Sequence, residues 1–169
     1  MWSDFLWEFM GKDYYIMNIS SSMSENRKII IAPHTEEHVG KLGINQFADD
    51  VNKIMLYNSS WDRHWRRNSP KLDTGDIMIF SFKDRGDWYV VGDAVLLYDG
   101  FKKEIYGCGK RSESGWESCY HFSGFRLYSK YISYEDMNER LSVFKPDLYK
   151  VVYLTPNDYV QLLSLTVEE

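Results

Sequence analysis

Residues 57–76 read YNSSWDRHWRRNSPKLDTGD and place Trp61 and Trp65 among Arg63, Arg66 and Arg67. An indole offers a flat apolar face on which a planar ligand stacks, and a guanidinium holds anions, phosphate above all. Residues 99–118, DGFKKEIYGCGKRSESGWES, repeat the combination, with Lys110 and Arg111 ahead of Trp116. Both segments read as loops, and large rings in loops expose apolar area unless something covers them. A loop that folds back accounts for any one of these tryptophans. Trp61 and Trp116 together, flanked by Arg63, His64, Arg66, Arg67, Lys110 and Arg111, fit a nucleobase held between rings with phosphate alongside. Such a base has been unstacked or flipped from its duplex.

Other chemistry has little support. GxxxxGK[ST], GxSxG and CxxC are all missing from the sequence. His34 and His38 in HTEEH stand four apart, which suits two metal ligands on a helix, but no third ligand follows and a solvated helix start explains them more simply. Cys108, Cys119 and His121 fit no standard zinc spacing, and the RGD at 85–87 reads as a hairpin turn. No acid pair and no nucleophile–base pair stands out. The expectation is a binding protein with no catalytic residue, metal or cofactor. A hydrolase would need Lys71 with Asp62 or Asp76, and Asp76 is better explained by a turn.

The elements that must position these residues are mixed. The 169 residues suffice for one domain with a core, and 44% hydrophobic with 27% charged is ordinary globular composition. A net charge of −5 argues against a basic nucleic-acid sponge but allows a local basic patch. No apolar run is long enough to span a bilayer and no signal peptide opens the chain, so a cytoplasmic location is expected. Strands are predicted at 13–20, 29–32 (stopped by Pro33), 77–82 and 88–98. A helix start is predicted at Thr35. Ile44, Phe47, Val51, Ile54 and Met55 form the stripe of an amphipathic helix. Residues 57–71 are expected as loop and DTGD (73–76) as a turn with Gly75 at positive φ. Gly92 predicts a bulge or close backbone approach, and Gly124 a further bulge in the strands after residue 118. A helix at 135–144, a strand at 147–155 and a short helix from Pro156 complete the chain. With no βαβ rhythm, the reading is α+β: a curved, mostly antiparallel sheet or small barrel with helices outside.

The stretch from Tyr57 to Gly100 resembles the central block of the PUA-like superfamily, especially its EVE and YTH branches. Those families carry a tryptophan-bearing loop, a short xxGD turn, a strand, and an hhVGhAxh strand in which h is apolar. Here these are Trp61, Gly75–Asp76, Ile77 to Phe82, and Val90 to Leu97. Trp116, YHFSGFRLYSKY and EDMNERL resemble the second half of a YTH domain, so the likeness spans residues 13–145. It implies a small curved β-barrel flanked by helices, as a single domain over residues 1–169. In YTH domains an aromatic cage binds methylated adenine in RNA, and EVE domains are proposed readers of modified bases, mainly cytosine. The resemblance implies Trp61, after Tyr57 and Asn58, as one cage wall and Trp116 as the other. Ser60 and Asp62 would meet the base edge. Trp65 would stand in for a third wall, whose usual YTH signature this chain lacks. Similar domains stand at the N-terminus of McrB-type restriction proteins, where they select modified DNA for a GTP-driven motor. The end at TVEE fits such an N-terminal part of a longer chain. The expected partner is therefore DNA or RNA carrying a modified base, with a motor downstream and no membrane. The alternatives are an RNA-binding PUA-like domain, an ASCH-like hydrolase and a protein-interaction domain.

Overall fold

The computed structural model describes residues 27–34, 43–58, 61–100, 115–141, 144 and 150–167. The strand expected at 13–20 and the helix start at Thr35 lie outside these residues. In chain order the elements are β1 (Ile29–His34), α1 (Ile44–Asn58), β2 (Trp61–Trp65), β3 (Ile77–Asp84), β4 (Asp87–Asp99), β5 (Ser118–Ser133), α2 (Tyr134–Arg140), β6 (Val152–Leu154) and α3 (Pro156–Leu165). The strands form one sheet in the order β2-β5-β4-β3-β1-β6. Only β1 with β3 is parallel; the other pairs are antiparallel. The result is the α+β, curled, mostly antiparallel architecture that the sequence predicts.

Both faces of the sheet are buried, which is why β1 opens on the unbroken apolar run IIIA. Ile29 and Ile31 join a core with Trp88, Tyr134 and Met137, which α2 and α3 close with Met137, Tyr159 and Leu162. Ile30 and Ala32 point the other way, onto Phe47, Ala48, Val51 and Met55 of α1. In the predicted helical stripe, Phe47, Val51 and Met55 are buried, while Ile54 turns out to solvent and Ala48 takes its place. The helices start where their caps dictate. Ser133 Oγ accepts from the Asp136 amide (3.1 Å) to begin α2, and Thr155 Oγ1 accepts from Asp158 (3.1 Å) ahead of Pro156 in α3.

The sheet curls because its two longest strands, β4 and β5, are bulged against each other. Their register shifts at Val90/Gly92, Asp93/Val95 and Leu96/Tyr98, and Gly124 takes a φ of 67° beside one shift. A Cβ on Gly92 would stand 2.4 Å from Phe125 Cζ and 2.6 Å from the Arg126 carbonyl oxygen. Only glycine lets the Phe125 ring lie on the strand there, as the sequence predicted. The amount of curl can be judged from Arg63 on β2, whose Nη2 donates to the Pro33 carbonyl of β1 at 3.2 Å. In a flat sheet β2 and β1 would lie four strand spacings apart, about 19 Å. The sheet has rolled into a half-barrel that brings its far strands within one side chain's reach.

Asp93 ties α3 to this frame. Its Oδ2 accepts from Arg126 Nη2 (2.6 Å), Tyr128 Oη (2.7 Å) and Tyr159 Oη (2.9 Å). Asp93 and the two tyrosines are buried. A buried carboxylate beside one cation and two hydroxyls has its charge matched and its Oδ2 fully engaged.

The structure corrects four boundaries. β1 runs through Pro33 to His34, because β6 reaches only Ile31 and Pro33 sits where a missing N–H is tolerated. α1 extends to Asn58 and residues 61–65 form β2, so of the loop expected at 57–71 the stretch 66–71 is irregular and the start is not. The strand expected at 147–155 is the shorter β6, Val152–Leu154, with 145–149 outside the described residues. α2 ends at Arg140 rather than 144, since Leu141 is extended and buried.

Two outcomes follow for stability. Gly92→Ala should cost about 1–3 kcal/mol, the range for forcing an extra methyl into a packed site, as read from urea unfolding. Burial first, and then the Asp93 charge, hold the Tyr128 and Tyr159 hydroxyls well above the usual tyrosine value of 10.0. Above that pH the unfolded chain releases protons that the folded one retains, so stability is intact below it and lost as pH rises beyond it. Melting temperature should fall above about pH 10 and change little between about pH 7 and 9. Full phenolate titration at 295 nm near pH 10, with the fold intact, would show these hydroxyls to be unperturbed.

Candidate nucleic-acid interface

β2 is an edge strand of the sheet and carries most of the sequence-predicted site. It pairs with β5 in the register Trp61↔Phe122, Asp62↔His121, Arg63↔Tyr120, His64↔Cys119 and Trp65↔Ser118. Alternation sends Arg63 and Trp65 to one face and His64 to the other. Trp65 is 8% exposed and packs edge-on to Tyr120, with ring centroids 5.9 Å apart. It belongs to the core on the α1 side, which removes it from the rings available to a base. Arg63 is half-buried, with its guanidinium carbon 4.7 Å from the centre of the Trp65 ring. Burial pulls its pKa down to about 10, which leaves it charged at neutral pH. It is a sequestered cation at the seam between β2 and β1, not the surface phosphate arm that the sequence predicted.

On the opposite face His64 stacks obliquely on Trp116, with centroids 5.1 Å apart, and the Arg66 guanidinium lies 4.6 Å from the Trp116 ring centre. The Glu117 amide donates to the Trp65 carbonyl (2.7 Å) and Glu117 Oε2 accepts from the Ser69 amide (2.9 Å), so the approach to β5 is fastened to the end of β2. Trp116 is half-buried, while Arg66 and Arg67 are exposed. The structure thus brings His64, Arg66 and Trp116 together. Tyr57 and Asn58 lie in the last turn of α1, and Trp61 and Asp62 at the start of β2. Ser60, Lys110 and Arg111 lie outside the described residues.

The turn after β2 is a rigid support. Asp76 Oδ2 accepts from the Asp73 amide (2.7 Å) and Oδ1 from the Lys28 amide (2.9 Å), and Gly75 adopts a φ of 95°. Both carboxylate oxygens hold backbone, so Asp76 is a turn residue, as the sequence suggested, and the hydrolase reading loses its best acid. Tyr120 Oη donates to the Pro70 carbonyl (2.8 Å) and accepts from the Leu72 amide (3.2 Å), pinning the segment that leads into the turn. Sequence reasoning missed Tyr120 and Pro33. The alternation of SCYHF, with Tyr120 and Phe122 on one face, was the available signal for the first.

His34 is not a helical metal ligand. It ends β1, buried, with Nδ1 3.1 Å from the carbonyls of both Ala32 and Ser81 and its ring stacked on Phe80. His38 and Cys108 lie outside the described residues. Among the described residues no group of three His, Cys, Asp or Glu side chains is placed to hold a metal. No helix among them is long and apolar enough to cross a membrane.

No family model and no curated protein matches the sequence. Solved structures do. A hypothetical protein from Leishmania major matches with a TM-score of 0.57 at 14% identity, over 84% of this chain and 96% of that one. Human THYN1 protein, in complex with 5-methylcytosine-containing DNA, matches with a TM-score of 0.53 at 13% identity, over 84% of this chain and 99% of that one. The fold is PUA-like. At these identities the likeness speaks for the fold: a curled barrel flanked by helices.

The two faces of β2 should respond differently to truncation. Trp65→Ala should cost about 3–5 kcal/mol in chemical denaturation, as a core aromatic does. Arg67→Ala should stay within about 0.5 kcal/mol, as an exposed residue does.

Proposed function

We propose that this chain is a nucleic-acid-binding module that takes up a modified base, in DNA, and that it serves as the targeting part of a modification-dependent system. The observation that carries this reading is the shared fold with a protein held on 5-methylcytosine DNA, combined with the cations and rings gathered on β2. The module itself performs no reaction; cutting or translocation, as in a restriction system, would come from another domain or partner.

In this reading Trp61, which opens β2 beside the α1 terminus, stacks on the extruded base, with Ser60 and Asp62 at its edge. Trp116, with His64 and Arg66 on the opposite face and at the far end of β2, offers a separate ring to a neighbouring base rather than closing on the same one. Arg66 and Arg67 neutralise phosphates beside the base, joined by Lys110 and Arg111. The net charge of −5 keeps this attraction local, so the protein should not coat DNA indiscriminately.

The test is fluorescence anisotropy on matched duplexes with one 5-methylcytosine, one N6-methyladenine or no modification. One modified duplex should bind tightest. Trp61→Ala should weaken that complex by about 5- to 150-fold, the value of one base–aromatic stack. Replacing Arg66 and Arg67 together with alanine should weaken all three duplexes alike and flatten the log K against log salt slope by about 0.9 per lost B-DNA contact. Equal affinity for all duplexes, unmoved by Trp61→Ala, would refute the reading.

A further inference from the structure

Among the described residues, five cations gather at one rim of the half-barrel. The strand register fixes which rim this is. β2 ends at Trp65 where β5 begins at Ser118, and β1 and β3 start together at Ile29 and Ile77, opposite Val95 of β4. Arg66 and Arg67 follow β2, Lys71 stands on the way to the DTGD turn, and Arg27 and Lys28 precede β1. Lys28 is half-buried and the other four are exposed. In a chain of net charge −5 this is an uneven distribution.

The supports under these cations are neutral. The Arg66 guanidinium lies 4.6 Å from the centre of the Trp116 ring. Arg27 Nη1 donates to the Gly75 carbonyl at 3.2 Å. A Cβ on Gly75 would stand 2.8 Å from that nitrogen, so glycine both permits the turn and leaves room for the guanidinium. An indole or a carbonyl orients a guanidinium without cancelling its charge. Three nearby carboxylates have partners of their own. Asp76 holds the Asp73 and Lys28 amides, Glu117 holds the Ser69 amide, and Asp73 meets Lys28 at 3.7 Å. Lys28 Nζ also donates to the Lys71 carbonyl, which ties the segment after β2 to the foot of β1.

From β2 to β1 the sheet measures at most about 19 Å, four strand spacings. Phosphates of one DNA strand advance about 3.4 Å each along the axis, so about five fit this length. Planar forks match the paired oxygens of a phosphate, and exposed cations strung along a rim match a polyanion of regular repeat. We infer that this rim is a further backbone-contact site, in which Arg27 and Lys71 continue the phosphate path of Arg66 and Arg67 from β2 to β1, with Lys28 as a positioning residue. The inference rests on the nucleic-acid reading and adds the direction in which the backbone leaves β2. Backbone contacts carry no base information, so the rim serves whichever base is taken up.

The experiment measures the affinity of the full chain for an unmodified duplex and a 5-methylcytosine duplex over a salt series, with thermal melts of every variant. The variants are Arg27→Ala, Lys71→Ala, their combination, Arg27→Lys, and Arg85→Ala as a control from the exposed hairpin tip at the opposite rim. Arg27→Ala and Lys71→Ala should each flatten the slope of log K against log salt by about 0.9, and the pair by about 1.8, alike on both duplexes. Arg27→Lys keeps the charge and should keep the wild-type slope. Arg85→Ala should keep it too. Wild-type slopes in Arg27→Ala and Lys71→Ala would overturn the inference. So would an equal flattening by Arg85→Ala, the mark of diffuse charge, or a weakening that follows a lowered melting temperature and leaves the slope unchanged. If the slopes flatten as expected while wild type treats both duplexes alike, the rim stands and the modified-base reading fails.

Discussion

The packing of Phe125 on the bare backbone of Gly92 governs the shape of this protein. Opposing residues on β4 and β5 cannot stay in step there, and the slippage is taken up at Gly92, Gly124 and further along both strands. Each bulge adds twist and bends the pair. Summed along two strands of 13 and 16 residues, the bend rolls the sheet until its first strand in spatial order faces its fifth. The seam between Arg63 and Pro33 exists only because of that roll. A methyl group on one interior residue therefore acts on a site several strands away.

Two buried guanidinium groups show how one chain settles charge in opposite ways. Arg126 shares Asp93 with two tyrosine hydroxyls, and Tyr159 brings α3 into the arrangement. This cluster ties β4, β5 and α3 together. Arg63 rests on an indole and a single carbonyl, with donors to spare. The first joins three elements of the frame, and the second lies at the margin of the sheet, on an edge strand. Stability is concentrated around Asp93 and polar capacity around β2.

Much of this could be read in the sequence where local chemistry decides. Gly75 and Gly86 take φ values of 95° and 90°, which turns require and glycine permits. The stripe of α1 follows from spacing, and the Pro156 helix start from its cap. Reading failed where a long-range contact decides. WDRHW looks like exposed loop because its charges are conspicuous, yet it alternates with period two, and its odd positions 63 and 65 face the interior. His34 and His38 suggested a helix because spacing alone does not reveal that β3 will pair with His34. Asp93, the only acid inside the apolar run YVVGDAVLLY, went unnoticed because its partners lie on β5 and α3. Arg63 was visible as an arginine, but its burial against Trp65 is a property of the assembled fold.

The Asp93 cluster also governs the order in which the domain can form. Its carboxylate waits for Tyr159, 66 residues later in the chain, and β1 waits for β6 before its second edge is paired. Contacts at such separation form slowly, because loop entropy is lost before the pairing compensates it. During synthesis, the Tyr159 bond to Asp93 and the pairing of β1 with β6 stay unmade until the end of the described chain has left the ribosome. The half-finished domain is therefore the form most exposed to misassociation.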